Sequence, residues 1–185
     1  MRSIVIETYN PKWAEWFEVI KRYVGPSLID IASSIEHVGS TSVPGLSGKP
    51  IIDMSVVVES KQRVTVAIER LAHLGYMHRG QMGVEGREAF DSPADCPPDF
   101  PAHHLYVCLN GSVGLSNHLI IRDYLLTHPE SVQEYGQLKH MLAEQFANDI
   151  DGYIDGKTDF LVGILQKSGM SKSELDSVEK SNRIR

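Results

Sequence analysis

No long apolar run occurs in this sequence, and that absence excludes a first class of function. Nowhere does it approach the roughly 20 consecutive apolar residues that a membrane-spanning helix needs. The opening residues, Met1 to Tyr9, mix Arg2 and Glu7 with polar groups and lack the apolar centre of a secretory leader, so a cytoplasmic protein with no membrane partner is expected. Concentrated positive charge is missing too. The 18 Lys and Arg residues face 24 Asp and Glu, for a net charge of −6, and they form no stripe or block. Duplex nucleic acid selects for clustered cations, so it is excluded as a generic partner. A small phosphorylated ligand or nucleotide needs only a few placed cations and is not excluded. Cysteine is scarce: Cys96 and Cys108 are the only two, expected as free thiols.

What is present suffices for one packed domain. The chain is 185 residues long and 42% hydrophobic, which is enough for a core. The domain is expected over residues 1–167, followed by a polar tail, 168–185, with too few apolar groups to pack. Ile4-Val5-Ile6 reads as a short extended lead-in. Asn10-Pro11 reads as a helix start, with Asn as cap and Pro at the first helical position. Trp13, Trp16, Phe17, Ile20 and Val24 then recur at helical spacing as a core stripe, and Gly25-Pro26 is expected to end the helix.

Ser34 to Val38 reads as a strand running into Gly39-Ser40-Thr41-Ser42. A loop dense in Gly and Pro follows, through Lys49-Pro50. Ile51 to Val58 is the clearest strand, apolar enough to be covered on both faces. A helix is expected over Lys61 to Leu74, stopped by Gly75. Strands are expected over Tyr76 to Arg79, Arg87 to Phe90 and His104 to Leu109. Three helices complete the chain, from about Leu115 to His128, from Pro129 through the stripe Val132, Tyr135, Leu138, Leu142 and Phe146, and from Ile150 to Gln166. The order predicts an α+β fold with a mixed sheet and a helical C-terminal half.

Two polar residues interrupt the apolar strand, Asp53 and Ser55. Alternation along a strand puts them on one face, about 7 Å apart. A carboxylate in such a strand costs several kcal/mol unless it is paired, hydrogen-bonded or metal-bound, so Asp53 is the first candidate for chemistry. A structural Asp held by amides or by a cation is the plainer alternative. Gly39-Ser40 is the second candidate: glycine lets a phosphate approach the backbone, and the following Ser, with Thr41 and Ser42, offers hydroxyls and amides.

A Gly-Ser turn followed by a strand carboxylate resembles the nucleotidyltransferase superfamily. More specifically, the run Ile35-Glu36-His37-Val38-Gly39-Ser40-Thr41-Ser42-Val43-Pro44-Gly45-Leu46, continuing through Lys49-Pro50-Ile51-Ile52-Asp53, resembles the GrpB family. So do Tyr9-Asn10-Pro11 with Trp13, His103 to Val107, and Ile121 to Leu125 with His128-Pro129. The resemblance implies a nucleotidyltransferase-like fold, a nucleotide held by the Gly-Ser turn, and Mg²⁺ or Mn²⁺ held by Asp53. The metal would bridge phosphate oxygens while a nucleotidyl or phosphoryl group passes to a small acceptor. In some relatives a similar domain is joined to dephospho-CoA kinase.

The chain departs from the superfamily pattern at the paired acid, where Ser55 stands, and in His104-Leu105-Tyr106, where a third acid is expected. Glu36 is the remaining candidate carboxylate for the metal. On this reading Asp53, Ser55 and His104 are the candidate catalytic residues, with Gly39, Ser40, Thr41, Ser42, Lys49, Arg87 and Tyr106 binding the ligand. The competing reading is a non-catalytic module that kept the pocket and lost the metal cage. Arg122-Asp123 reads as a structural ion pair. A zinc site from His37, His103, His104 and Asp53 matches no standard spacing.

Overall fold

The computed structural model describes residues 4–97 and 99–183. The first helix, α1 (Lys12–Leu28), buries Trp13, Phe17, Ile20, Val24 and Leu28, the stripe that the spacing predicts. Pro11 stands at its N-cap, one place before the first helical residue, and Asn10 accepts from the Lys12 amide through its side-chain oxygen at 3.1 Å. Gly25-Pro26 does not end it: the helix runs through Pro26 to Leu28. Proline here forgoes one helix hydrogen bond, and continuing the turn carries Leu28 into the core, where it is fully buried. The lead-in forms a single antiparallel bridge, Glu7 to Gly48, rather than a strand of its own.

Strand β1 (Ala32–Val38) is followed by a short 3-10 turn, Ser40–Ser42, and a loop into β2 (Ile52–Val58). Then come α2 (Lys61–His73), β3 (Met77–Gly80), β4 (Arg87–Asp91) and β5 (His103–Leu109). Ser60 caps α2 by accepting from the Arg63 amide, and Gly75, at φ +85°, turns the chain beyond its end. The sheet order is β1-β2-β5-β4-β3. Pairing is antiparallel except between β2 and β5, so the sheet is mixed, as the element order predicts.

One face of the sheet, with Met54, Val56, Val58, Leu105 and Val107, packs on α1 and α2 as the main core. The other face is polar at its centre and lies beneath α3 (Val113–Thr127), on which α4 (Pro129–Gln145) and α5 (Ile150–Lys167) pack in turn. That covering buries Ser55 and Val57 as well, so β2 is enclosed on both sides.

The C-terminal segment differs from the expected polar tail. Its described part contains a helix, α6 (Lys172–Arg183), which packs on α5 and α3; residues 184–185 lie outside the described residues. Its few apolar groups fall on one side, so Met170 and Val178 bury together against Leu165. Arg183 pairs with Asp155, Asp159 and Glu179. Sparse apolar residues suffice here because the rest of the domain supplies the surface. Cys96 and Cys108 are both free. No helix among the described residues is long and apolar enough to cross a membrane.

Candidate functional site

Register places the candidate residues. In β1 and β2, Val38 lies opposite Asp53 and Glu36 opposite Ser55. In β2 and β5, Asp53 lies opposite His104 and Ser55 opposite Tyr106. Opposed residues share a face, so Glu36, Asp53, Ser55, His104 and Tyr106 all point to the side covered by the C-terminal helices. Strand alternation by itself pairs Asp53 with Ser55 and His104 with Tyr106; the register brings the two pairs and Glu36 to one side.

Asp53 is engaged on two sides. His104 Nδ1 lies 2.9 Å from its carboxylate. Gly39 is pressed against it: a β-carbon placed on Gly39 would come within 2.9 Å of the Asp53 side-chain carbons. Gly39 has φ +70° and ψ −170°, a conformation essentially restricted to glycine. The turn therefore has its backbone directly on the carboxylate. Burial works against the charge on Asp53, but the hydrogen bond and charge of His104, with His118 and Lys49 beyond, hold its carboxyl below the ordinary value. Its side chain keeps 29% of its exposure and that of His104 49%, so the pair opens to solvent.

The three hydroxyls of the turn have different roles. Ser42 donates to the Gly39 carbonyl at 2.6 Å, and Thr41 bonds His37 Nε2 at 2.9 Å, so both brace the turn itself. Ser40 faces inward and accepts from Lys139 Nζ at 2.9 Å. Lys139 also donates to the Ser47 carbonyl, and its amine lies 4.4 Å from the centre of the Tyr135 ring. It is 2% exposed and makes no ion pair among the described residues. Lys49 and Lys157 lie over the Tyr153 ring, at 5.6 and 4.6 Å from its centre. Three lysines and His104 thus gather around Gly39, Ser40 and Asp53.

The other candidates form a second group beneath α3. Ser55 is fully buried and 3.1 Å from His118 Nδ1. The Tyr106 ring leans on His118, with centres 5.3 Å apart, and carries the Arg87 guanidinium 4.8 Å above its own centre. Arg87 is 9% exposed, and its Nε has no hydrogen-bond partner. Burial first, then the charge of Arg87, pull the His118 pKa down to about 4. Glu36 does not join Asp53. Arg122 holds it at 2.8 Å and also pairs with Asp123, so the expected Arg122-Asp123 pair is found and the Glu36 contact is added to it.

These engagements bear on metal binding. Of the residues that stand where a carboxylate cage is expected, Asp53 is bonded to His104, Ser55 to His118 and Glu36 to Arg122. Among the described residues, no three His, Cys, Asp or Glu side chains are placed to hold a metal ion. His103, one of the histidines weighed for zinc, bonds Tyr76 and the Pro101 carbonyl instead. A donor set of one carboxylate does not fit a two-metal clamp.

Lys139 and His118 do not figure among the sequence candidates, yet both carry a periodicity signal. Lys139 falls within the buried stripe Val132, Tyr135, Leu142 of α4, and His118 stands between Leu115 and Leu125 on α3. A cation or imidazole at a core position of an amphipathic helix marks a polar destination across the interface.

Comparison with known proteins agrees with the motif reading. The GrpB protein family profile matches residues 3–167. Protein YqkA of Bacillus subtilis is 37% identical over 164 residues, covering 86% of this chain, which itself spans only 46% of YqkA's length. Glutamate-rich protein GrpB of Alkalihalophilus pseudofirmus is 32% identical, with 89% of this chain and 95% of that protein aligned. The crystal structure of conserved protein GrpB from Enterococcus faecalis superposes with a TM-score of 0.76 at 30% identity, covering 95% of this chain and 98% of that one. In sequence over nearly its whole length and in fold, the chain belongs to the GrpB family.

Proposed function

We propose that this protein binds a small phosphorylated ligand of the nucleotide class between the Gly39-Ser40 turn and the lysines of the C-terminal helices. The observation that carries the reading is the meeting of that turn with Lys139, with Lys49 and Lys157 close by over the Tyr153 ring and Asp53 across from them. Gly39 presents bare backbone, Ser40 a hydroxyl, and the lysine amines hydrogen-bond donors and positive charge, which suits a phosphorylated ligand. The engaged state of Ser55 and Glu36 favours a pocket whose cations neutralise the phosphates over one that relies on a metal cage.

A second reading, transfer of a nucleotidyl or phosphoryl group, is favoured by one specific feature. His104 is oriented by Asp53 at its Nδ1 and is half exposed, an arrangement suited to taking a proton from an acceptor hydroxyl through the other ring nitrogen. The test is a thermal-shift screen of nucleoside triphosphates, inorganic triphosphate and coenzyme A precursors in EDTA, Mg²⁺ and Mn²⁺. Stabilisation that persists in EDTA supports the binding reading. Turnover that requires metal and is lost in Asp53→Ala and His104→Gln supports transfer. No shift with any of these compounds at millimolar concentration refutes both.

A further inference from the structure

Lys139 is placed as few lysines are. Its Nζ joins both ends of the loop that follows β1, donating to Ser40 Oγ near the start and to the Ser47 carbonyl near the end. Two glycines lie against the loop at this point. A β-carbon on Gly48 would sit 2.9 Å from Ser40 Cβ and 3.8 Å from the amine, and Gly136, one turn earlier on α4, lies against Ser47. The partners so assembled are neutral oxygens and the Tyr135 ring; no carboxylate lies within ion-pair distance among the described residues. A buried ammonium so placed lacks the counter-charge that ordinarily offsets its desolvation. An anion at Ser40 supplies one.

We propose that Lys139 couples phosphate binding to proton uptake: as a phosphate group docks at Ser40, Nζ takes a proton from solvent and ends as an ammonium paired with the bound anion. The inference rests on the phosphate reading of the pocket. The groups facing Lys139 set the direction. Burial is the main influence against its charge, and Lys157 on α5 adds to it. Asp53 on β2 acts the other way, and together they place the pKa at about 6. Lys49, across the Tyr153 ring, and Tyr135, on the same helix, complete the polar surroundings. In the ligand-free protein at neutral pH the amine is therefore largely uncharged, and the incoming anion raises its pKa. Binding then consumes up to one proton per ligand above pH 6. By linkage, affinity falls as pH rises, by up to about tenfold per unit, until the pKa of the complex is reached.

The test is isothermal titration calorimetry of the full chain with inorganic triphosphate in EDTA at pH 7.5, in buffers of low and high ionisation enthalpy. The number of protons taken up is compared between wild type, Lys139→Arg and Lys139→Met. Protonation of the probe itself is common to all three and cancels in the comparison. The expected result is close to one more proton taken up by wild type than by either variant, with Lys139→Arg, whose charge is fixed, still binding. If Lys139→Met does not fold, wild type against Lys139→Arg decides by the same count. Equal proton counts with retained binding overturn the role of Lys139 and leave the phosphate site standing. No binding by wild type overturns the site and the inference with it.

Discussion

Gly39→Ala tests whether the turn and Asp53 are fitted to one another. The backbone at Gly39 has φ +70° and ψ −170°, so any side chain there is strained. Such strain costs on the order of 1–3 kcal/mol. The added carbon would also meet Asp53, lying 2.9 Å from both its Cβ and its Cγ and closer still to a carboxylate oxygen. Overpacking of that kind adds about 1–3 kcal/mol when neighbours are held. The two together give about 4 kcal/mol, which for a chain of this size lowers the melting temperature by roughly 8–16 °C. A double-mutant cycle separates the parts. Asp53→Ala removes the crowded Cγ and oxygen but leaves the backbone strain, so the double variant should recover about 1 kcal/mol relative to the sum of the singles. Urea unfolding of the four proteins reads the coupling. A Gly39→Ala loss below about 0.5 kcal/mol, or additive effects within error, would refute the account of a backbone pressed on a carboxylate.

Three further outcomes follow from other contacts. Arg122→Met leaves the half-buried Glu36 without its cation, and a loss of about 1–3 kcal/mol in urea unfolding is expected, with Glu36→Gln milder; a neutral Arg122→Met would reject the pair as structural. His118 is half-buried and held neutral, with its pKa at about 4 in the folded protein and near 6.5 unfolded, so stability should fall as pH drops from about 6.5 to 4, by at most about 1.4 kcal/mol per unit. His118→Asn should flatten that acid limb in melts across pH; an unchanged limb would show that His118 does not contribute. Val178→Asp places a charge in the seam between α5 and α6 and should cost about 2–4 kcal/mol by thermal melting, whereas no change would mean that α6 does not stabilise the domain.

The elements were legible because local pattern and burial agree. The apolar run of β2, the aromatic stripe of α1 and the alternation of β5 each state a period that the core then uses. The helix that outlasts Gly25-Pro26 shows tertiary demand overriding a local stop, because Leu28 has a core position to fill. α6 shows the same in a polar segment, where Met170 and Val178 find an apolar surface made by residues far away in sequence. The site was legible in part for the same reason. Gly39 and Ser40 follow β1 directly and Asp53 lies near the start of the next strand, β2, and strand alternation alone puts Asp53 and Ser55 on one face.

Element order and hydrophobic period in the sequence were enough for the mixed α+β architecture, and the resemblance of its motif pointed to the meeting of the Gly-Ser turn with Asp53. Only the tertiary structure decided what surrounds that meeting. Register across a crossover set His104 against Asp53, and helix packing brought Arg122 to Glu36, His118 to Ser55 and Lys139 to Ser40. Those partners lie 51 to 99 residues away. No local period encodes which of many polar side chains a packed helix will carry to a given strand. That choice is made by the shape of the apolar interface, and the polar groups follow it.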